Sequence, residues 1–266
     1  MSAPTLVFDL ETIPDVAALR LLHELPDALP DEEVVEYAAQ RQRARSGSDF
    51  LPHHLQRIVT LAGVWDNGHD VKVFSLAAPE LDEAEILRQF FAAIDKKRPQ
   101  LVTWNGGGFD LPVLHYRSLL HGVQASAYWE VGERESEYRY NNYLGRFHWR
   151  HLDLMDVLAG YQTRAAAPRD QIGRRLGFAG RLGMDGGQVW GAWCRGEAAA
   201  IRAYCETDAV NTYLVFLRFQ WLRGKLDEGE LKSALDRLRE HLEKLPGAHW
   251  REFLAQCPLT AADPKI

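Results

Sequence analysis

The sequence is poor in cysteine and in long apolar segments. Its 266 residues include three cysteines, Cys194, Cys205 and Cys257, which are scattered along the chain. An odd and widely spaced set provides neither a disulfide framework nor a zinc site, and it suits a reducing compartment, so we expect a cytoplasmic protein. No apolar run approaches the roughly 18 residues that a membrane-spanning helix needs, and we expect no membrane partner.

Basic residues are also fewer than acidic ones, with 31 lysines and arginines against 37 aspartates and glutamates. The formal net charge is −6 at pH 7 and the isoelectric point is about 5.9, whereas proteins that coat duplex nucleic acid are usually basic. Extensive contact with a phosphate backbone is therefore disfavoured. The balance still permits an enzyme that holds a few nucleotides at an acidic metal site, because bound cations there neutralise the carboxylates and the phosphate together.

The sequence does contain an alternation of strand and helix patterns. An apolar run at residues 5–8 predicts a first strand, and a helical, irregular stretch at 14–56 follows it. This order, with the later patterns, predicts an α/β fold with a mixed β-sheet flanked by helices. The later patterns are a hairpin at 57–74, a helix at 79–97, a strand at 100–104, and helices at 111–120, 168–176 and 197–222.

The C-terminal region has a pattern of its own. Beyond residue 226, leucines recur at alternating steps of four and three, at positions 231, 235, 238, 242 and 245. This spacing predicts a helix with a narrow apolar seam, and packing of the seam on the protein's own body is favoured over a dimer contact. We therefore expect a main domain at 1–226, with a helical insertion at about 14–56, and a helical C-terminal extension at 227–266.

The first chemical motif is Asp9-Leu10-Glu11, at the end of the predicted first strand. Residues i and i+2 of a strand point to the same side, so both carboxylates would share one face while Leu10 is directed to the core. Two adjacent acids repel each other unless a cation lies between them, and hard divalent cations prefer such oxygen ligands. Taken alone, the pair is more typical of a solvated strand end.

The second motif is Asn105–Asp110, which reads Asn-Gly-Gly-Gly-Phe-Asp and joins a strand to a helix. The glycines allow the backbone to pass close to a ligand or to adopt positive φ, and Asp110 at the helix start could turn inward toward the first strand. An ordinary glycine turn with Asp110 as N-cap is the alternative. No Lys-Ser or Lys-Thr follows the glycines, which excludes a Walker phosphate loop.

The third motif is Tyr204–Asp208, which lies inside the longest predicted helix. Positions i and i+4 share a helix face, so Tyr204 and Asp208 would point together at whatever that face covers. The apolar neighbours of these residues indicate a packed helix, and a buried carboxylate requires a partner. A surface aspartate beside a half-buried tyrosine is the alternative.

Together the three motifs are far more specific than any one of them. Their order and spacing resemble those of the DEDD (DnaQ-like) 3′-5′ exonuclease superfamily, in its tyrosine-containing branch. The sequence is most similar to stand-alone exonucleases related to the proofreading domain of family B DNA polymerases, and this resemblance implies an RNase H-like core. It covers roughly residues 4–222. No histidine lies four residues before Asp208, which separates the sequence from the histidine-containing branch.

The resemblance also implies a site and its chemistry. Two divalent cations, Mg²⁺ or Mn²⁺, would be held by four carboxylates, those of Asp9, Glu11, Asp110 and Asp208. Tyr204 would orient the attacking water, since a phenol with a pKa of about 10 is a poor base at neutral pH. Asn105 and Phe109 would contact the terminal nucleotide.

The implied substrate is a single-stranded or frayed 3′ end, and we favour the interpretation that it is DNA over the interpretation that it is RNA. Two other functions stay open, namely an inactive nucleic-acid-binding module on the same fold and an RNA-trimming exoribonuclease. The sequence does not separate DNA from RNA, because that discrimination rests on contacts to the 2′-hydroxyl group. It leaves protein partners undefined.

Residues outside the motifs add weaker indications. Nine arginines between positions 134 and 181, interleaved with aromatic residues, fit a strand-binding surface and a solvated basic face equally well. One of Asp153 and Asp156 could support the metal ligands from behind, although a structural hydrogen bond is favoured. For His53 and His54, surface or capping roles are favoured.

Overall fold

A five-stranded mixed sheet lies at the centre of the computed structural model, which describes residues 3–180, 183–257 and 259. The order across the sheet is β3-β2-β1-β4-β5. The β1–β2 and β2–β3 pairs are antiparallel, and the β1–β4 and β4–β5 pairs are parallel. The predicted α/β class, with an RNase H-like mixed sheet, is confirmed. The strands are β1 (Thr5–Pro14), β2 (Gln56–Asp66), β3 (Val71–Ala77), β4 (Gln100–Thr103) and β5 (His151–Asp153).

Helices flank the sheet on both faces. The predicted helices at 79–97 and 111–120 correspond to α3 (Glu83–Lys97) and α4 (Asp110–His121), and the pattern at 197–222 corresponds to α8 (Ala198–Leu222). α3 begins later than predicted because Asp82 caps it by accepting the N–H of Glu85. The α-helices of the described residues are α1 (Val16–His23), α2 (Asp31–Ser46), α3 (Glu83–Lys97), α4 (Asp110–His121), α5 (Leu154–Leu158), α6 (Arg169–Arg175), α7 (Val189–Cys194), α8 (Ala198–Leu222), α9 (Glu228–Lys244) and α10 (Ala248–Gln256).

β1 is longer than the apolar run that predicts it. It extends to Pro14, because its antiparallel pairing with β2 continues as far as Gln56. Asp9 and Glu11 therefore lie within the strand and not at its end. The register shifts between Glu11 and Thr12, and such an irregularity bends a strand locally, as is common beside functional sites.

The two faces of the sheet are covered by different helices. Side chains alternate along β1, so Leu6, Phe8 and Leu10 join the core formed with α3 and α4, while Val7 joins the core formed with α8 and α9. Leu10 faces a core, as predicted. The acidic side chains on either side of it are consequently directed to the opposite face, where α8 lies.

The C-terminal helices complete the second core. Leu231, Leu235, Leu238 and Leu242 of α9 are buried against the α8 side, and Leu245 packs on the same core. The leucine seam thus packs on the protein's own body, as favoured from the sequence. Residues 258 and 260–266 of the predicted extension lie outside the described residues.

The helical insertion has a small core of its own and is tied to the main body. Arg117 of α4 forms buried ion pairs with Asp15, at the start of the insertion, and with Glu83 of α3. Within the described ranges, no helix has the length and apolar character needed to cross a bilayer. The core of the insertion, between α1, α2 and the turn at His53–Leu55, consists of Leu19, Val34, Ala38, Leu51 and Leu55.

Candidate active site

Four acidic residues that are distant in sequence converge on one face of β1. Glu11 is 7% exposed and projects from β1 beside Asp9. Asp110 is the first residue of α4, and its Oδ1 accepts a hydrogen bond of 3.1 Å from the N–H of Leu10, which lies between those two acids. Asp208, in the middle of α8, is 3% exposed. The four groups are close enough to repel one another, so the structure brings together every carboxylate that the motifs single out.

The loop between β4 and α4 delivers Asp110. Asn105 begins it in the left-handed region, with a φ of 66°, so the positive φ falls on the asparagine and not on the three glycines. A Cβ at Gly106 would overlap the side chain of Thr103, and a Cβ at Gly108 would overlap that of Asn105. Gly106 and Gly108 are therefore needed for close packing of the loop against its own surroundings.

The third motif presents Tyr204 and Asp208 on the same face of α8, one helical turn apart. Oδ2 of Asp208 is ion-paired with Arg169, the first residue of α6, and Arg169 also donates to the main-chain oxygen of Asp208 at 2.6 Å. The other carboxylate oxygen, Oδ1, is buried and has no hydrogen-bond partner among the described residues. A buried acceptor of this kind needs a partner such as a cation or a water molecule.

Burial and mutual repulsion raise the pKa values of the acids. Burial raises the pKa of Asp9 well above its ordinary value, and the charges of Asp110 and Asp208 raise it further. Burial followed by repulsion from Asp9 does the same for the pKa of Glu11. Burial also raises the pKa of Asp110 to about 7. Arg169 lowers these pKa values, but one guanidinium cannot balance four carboxylates.

This donor set fits hard divalent cations. Mg²⁺ and Mn²⁺ prefer carboxylate oxygens, and they bind where several acids with raised pKa values share one place. The unpartnered Oδ1 of Asp208 is the atom that most needs such a partner. Beside it, burial and then repulsion from Asp208 and Glu11 raise the pKa of the Tyr204 phenol, so this group stays protonated and able to donate a hydrogen bond.

Cys205 lies in the cluster, although the sequence gives no indication of it. Ligand atoms of Asp9, Glu11 and Cys205 lie within 4.8 Å of one another, and Sγ of Cys205 donates to the main-chain oxygen of Asp9 at 3.4 Å. Burial raises the pKa of this thiol well above its ordinary value. A protonated thiol is a poor ligand for hard cations, so we assign Cys205 to the packing of α8 against β1.

Asp153, at the end of β5, fixes the loop that carries Asp110. Its Oδ1 accepts the N–H of Asn105 and its Oδ2 accepts the N–H of Gly107, both at 2.9 Å. The same carboxylate caps α5. Asp153 therefore makes the structural hydrogen bonds that the sequence analysis favours, and through them it holds the loop that carries Asp110.

Asn105 and Phe109 flank the carboxylates and do not join them. The side chain of Asn105 folds back over Gly108. The ring of Phe109 is half-buried, and its centre lies 5.6 Å from the ring centres of both Phe50 and His53. His53 is half-buried, and its ring lies beside that of Phe109, so a surface position alone does not describe it.

The arginine-rich stretch is largely engaged in contacts within the protein. Arg150, for example, lies 3.9 Å from the ring centre of Tyr138. Arg169 is the member that reaches the acids, and Arg181 lies outside the described residues. These contacts weaken the interpretation of the stretch as a strand-binding surface. The ion pairs are Arg146–Asp156, Arg150–Glu137, Arg169–Asp208 and Arg174–Asp170.

The chain matches one family and several polymerases. The family of predicted 3′-5′ exonucleases related to the exonuclease domain of PolB matches residues 48–257. The catalytic subunit of DNA polymerase epsilon from Saccharomyces cerevisiae is 27% identical over 146 residues, and its counterpart from Schizosaccharomyces pombe is 23% identical over 148 residues. Each match covers 53% of this chain and only 6% of the length of the polymerase protein.

The fold is also found in solved structures. One is the family B DNA polymerase from the hyperthermophilic archaeon Pyrobaculum calidifontis, with a TM-score of 0.52 and 16% sequence identity. The similarity covers 98% of this chain and 27% of that polymerase. At this level of identity the likeness concerns the fold alone.

Proposed function

This chain belongs to the family of predicted 3′-5′ exonucleases related to the exonuclease domain of PolB, and from this premise we propose that it is an active, metal-dependent 3′-5′ exonuclease. It would hydrolyse the phosphodiester bond at a 3′ end and release one nucleotide at a time. The observation that carries the proposal is the approach of four carboxylates to one another on one face of β1. One of their oxygens, Oδ1 of Asp208, is buried and has no hydrogen-bond partner among the described residues.

The proposed roles follow from the position of each side chain. Asp9, Glu11, Asp110 and Asp208 would hold two divalent ions, Mg²⁺ or Mn²⁺. Bound there, such ions supply an acidified water and neutralise negative charge on the phosphate. The protonated Tyr204 would donate a hydrogen bond that orients the attacking water. Arg169, fixed beside Asp208, would reduce the repulsion that the approaching phosphate meets.

The proposed substrate is a single-stranded or frayed end, with DNA preferred to RNA. The polymerase relatives support DNA, since the two matched proteins are catalytic subunits of a DNA polymerase. The half-buried ring of Phe109 beside Asp110 supports a splayed base, because aromatic rings stack on unpaired bases of any sequence.

The test uses single-stranded DNA and RNA labelled at the 5′ or the 3′ end, with Mn²⁺ or with chelator. We expect a ladder of one-nucleotide steps from the 3′ end that requires the metal. Asp208→Ala should reduce the rate by about a thousandfold or more, as several kcal/mol of lost charge stabilisation implies. Asp236→Ala, at an acid of α9 paired with Lys232 on the surface, is the matched control and should retain the wild-type rate.

The same assay, together with the melting temperature with and without Mn²⁺, separates the other two functions. An inactive binding module would give no ladder and no stabilisation by Mn²⁺, whereas an ion that binds only the folded protein must raise its melting temperature. An RNA-trimming enzyme would give the ladder on RNA much faster than on DNA. A ladder that Asp208→Ala leaves unchanged would show that the acids have been assigned wrongly.

A further inference from the structure

A group of exposed or half-buried aromatic and imidazole rings begins next to the acids. It comprises Phe50, His53, His54, Phe109 and Tyr116, and we call it the aromatic track. We propose that the aromatic track is a stacking surface for single-stranded nucleic acid. It would extend from Phe109, at the terminal nucleotide, along the two or three nucleotides that precede it. This inference rests on the proposed function and extends it from the scissile bond to the adjoining strand.

The rings of the track form a series of two groups. The ring centres of Phe50 and His53 each lie 5.6 Å from that of Phe109, and the ring centre of His54 lies 5.9 Å from that of Tyr116. His53 and His54 are consecutive, so they link the two groups of rings. Phe109 directly precedes Asp110, so one end of the series lies at the acidic site.

Two different parts of the fold build the track. Phe109 and Tyr116 come from the start and the middle of α4, whereas the other three rings come from the end of the helical insertion. The buried ion pair between Arg117 of α4 and Asp15 of the insertion holds these two parts together. The insertion thereby acquires a role at the site, in addition to its own small core.

The exposure of the rings indicates an occupant. Phe50 is 58% exposed and Tyr116 is 50% exposed, although burying such rings is favourable and exposed aromatic clusters are uncommon without a function. Planar rings that stack on any base are the usual surface for single strands, and they require the bases to be unpaired. The track therefore fits a frayed strand and does not fit a duplex.

The length and the charge of the region agree with this occupant. Phe109 and Tyr116 are seven residues apart on α4, about 10 Å along the helix axis, which corresponds to about two or three stacked bases. Asp49, beside Phe50, is paired with Arg43 of α2. This ion pair balances the charge of the acid next to Phe50, so that acid repels a phosphate group less.

The test compares two substrates that differ in length. Thymidine 5′-phosphate p-nitrophenyl ester has a single nucleoside and reaches the terminal position only, whereas an oligothymidylate of roughly eight nucleotides would also cover the track. We expect Phe50→Ala and Tyr116→Ala each to raise KM for the oligothymidylate by about tenfold, as about 1.4 kcal/mol of lost stacking implies. The change in KM for the ester should be several times smaller, and Phe50→Trp should restore the oligothymidylate KM.

The matched control is Trp221→Ala. Trp221 is 41% exposed, and it lies 13 residues beyond Asp208 on the same helix, about 20 Å along its axis. This variant should keep the wild-type KM for both substrates. A second measurement does not need hydrolysis: the fluorescence anisotropy of fluorescein-labelled oligothymidylate with Asp9→Ala protein should show the same weakening when Phe50→Ala or Tyr116→Ala is added.

The outcomes distinguish this inference from the proposed function. If the wild type hydrolyses both substrates and the track variants bind and cleave the oligothymidylate normally, the track inference is wrong and the exonuclease proposal stands. The exposed rings would then suit a protein partner. Equal losses on the ester and the oligothymidylate would also overturn it, by showing that the rings only shape the acidic site. If the wild type hydrolyses neither substrate, the proposed function fails. The anisotropy measurement still tests whether the aromatic track binds the oligothymidylate.

Discussion

At the scale of single residues, the site is a place where charge is concentrated and then left incompletely balanced. Four carboxylates, of which three are buried and that of Asp9 is half-buried, face one guanidinium. Oδ1 of Asp208 has no partner within the described part of the chain. Burial makes each ionised form costly, and neighbouring acids add to that cost. A site of this kind is strained without bound cations, and this strain can be measured in the absence of substrate.

The first prediction concerns pH and stability without metal. Burial raises the pKa of Asp110 from 3.8 to about 7, so the folded protein favours the protonated form. The resulting stability is fully present below the pKa of the unfolded chain and is lost as the pH rises through about 7. We expect the free energy of unfolding, measured with urea in the presence of chelator, to fall as the pH rises from 3.8 to about 7. It should fall less for Asp110→Asn than for the wild type. An equal fall of the free energy of unfolding with pH in both proteins would show that the pKa of Asp110 is not raised.

The second prediction concerns Tyr204. Its phenol is protonated and lies on the same helix face as Asp208, so removing the hydroxyl should misplace the attacking water but leave the ring. Tyr204→Phe should lower kcat by up to about a hundredfold, the scale of small misplacements at a reacting centre, with little change in KM.

Tyr213→Phe is the matched control for Tyr204→Phe. The hydroxyl of Tyr213 on the same helix donates to Oδ2 of Asp66 at 2.6 Å, away from the acidic motifs. This variant should lower stability without lowering kcat. Equal changes in kcat and KM for Tyr204→Phe would indicate that the ring only packs.

At the scale of elements, the loop between β4 and α4 depends on β5. Asp153 accepts the N–H groups of Asn105 and Gly107, so the parallel pairing of β4 with β5 also sets the position of Asp110. A short strand at the edge of the sheet thus contributes to the geometry of the acids without touching them.

The third prediction tests this support. Asp153→Ala leaves two loop N–H groups without their acceptor, so the loop should loosen and the affinity for Mn²⁺ should fall by about tenfold to a hundredfold, as is typical for residues that orient metal ligands. Calorimetric titration with Mn²⁺ measures the effect. The control is Asp156→Ala. Asp156 lies three residues after Asp153 and is paired with Arg146. Loss of affinity in both variants would point to general disruption of α5.

The elements differ in how far the sequence could predict them. The helices α3 and α4 have an apolar face that recurs with the helical period, and α8 is a long run without proline or glycine. The hairpin of β2 and β3 has a turn signal, so the order of these elements and the mixed sheet could be predicted. β5 has three residues and α5 has five, which is too short for a period to appear. The extension of β1 to Pro14 depends on pairing with β2, a contact that local sequence does not reveal.

The same division applies to the site. The three motifs identify the acids and Tyr204 because their spacing is local to a strand, a loop or a helix. Arg169 and His53 reach the site through tertiary packing, and nothing in their own neighbourhoods distinguishes them from surface residues. Cys205 lies among the acids simply because it is the residue after Tyr204 on a packed helix.

At the scale of the whole molecule, the C-terminal helices belong to the core that supports the site. The buried leucines of α9 pack in the same cluster as α8, the helix that carries Tyr204 and Asp208. A polar connection accompanies this packing, since Glu206 of α8 accepts from Ser75 of β3 at 2.6 Å and lies 3.0 Å from Nε2 of His249 on α10. The extension should therefore be necessary for stability.

The fourth prediction measures this contribution. Leu238 is fully buried, so Leu238→Ala should lower the free energy of unfolding by about 2–5 kcal/mol, the range for large-to-small changes in a core. Leu222→Ala, at a residue that is 68% exposed, should change it by less than about 0.5 kcal/mol. Urea unfolding at a fixed Mn²⁺ concentration gives both values. A loss below that range for Leu238→Ala would mean that α9 contributes little to the core around α8.

The central claim is that the fold gathers Asp9, Glu11, Asp110 and Asp208 into one binding place for divalent ions. Anomalous diffraction from crystals of the wild-type protein grown with Mn²⁺ tests it most directly. The account predicts two anomalous peaks among these four carboxylates, and their loss from crystals of Asp208→Ala. Manganese absent from this place at saturating concentration, or bound there equally well in the variant, would contradict it.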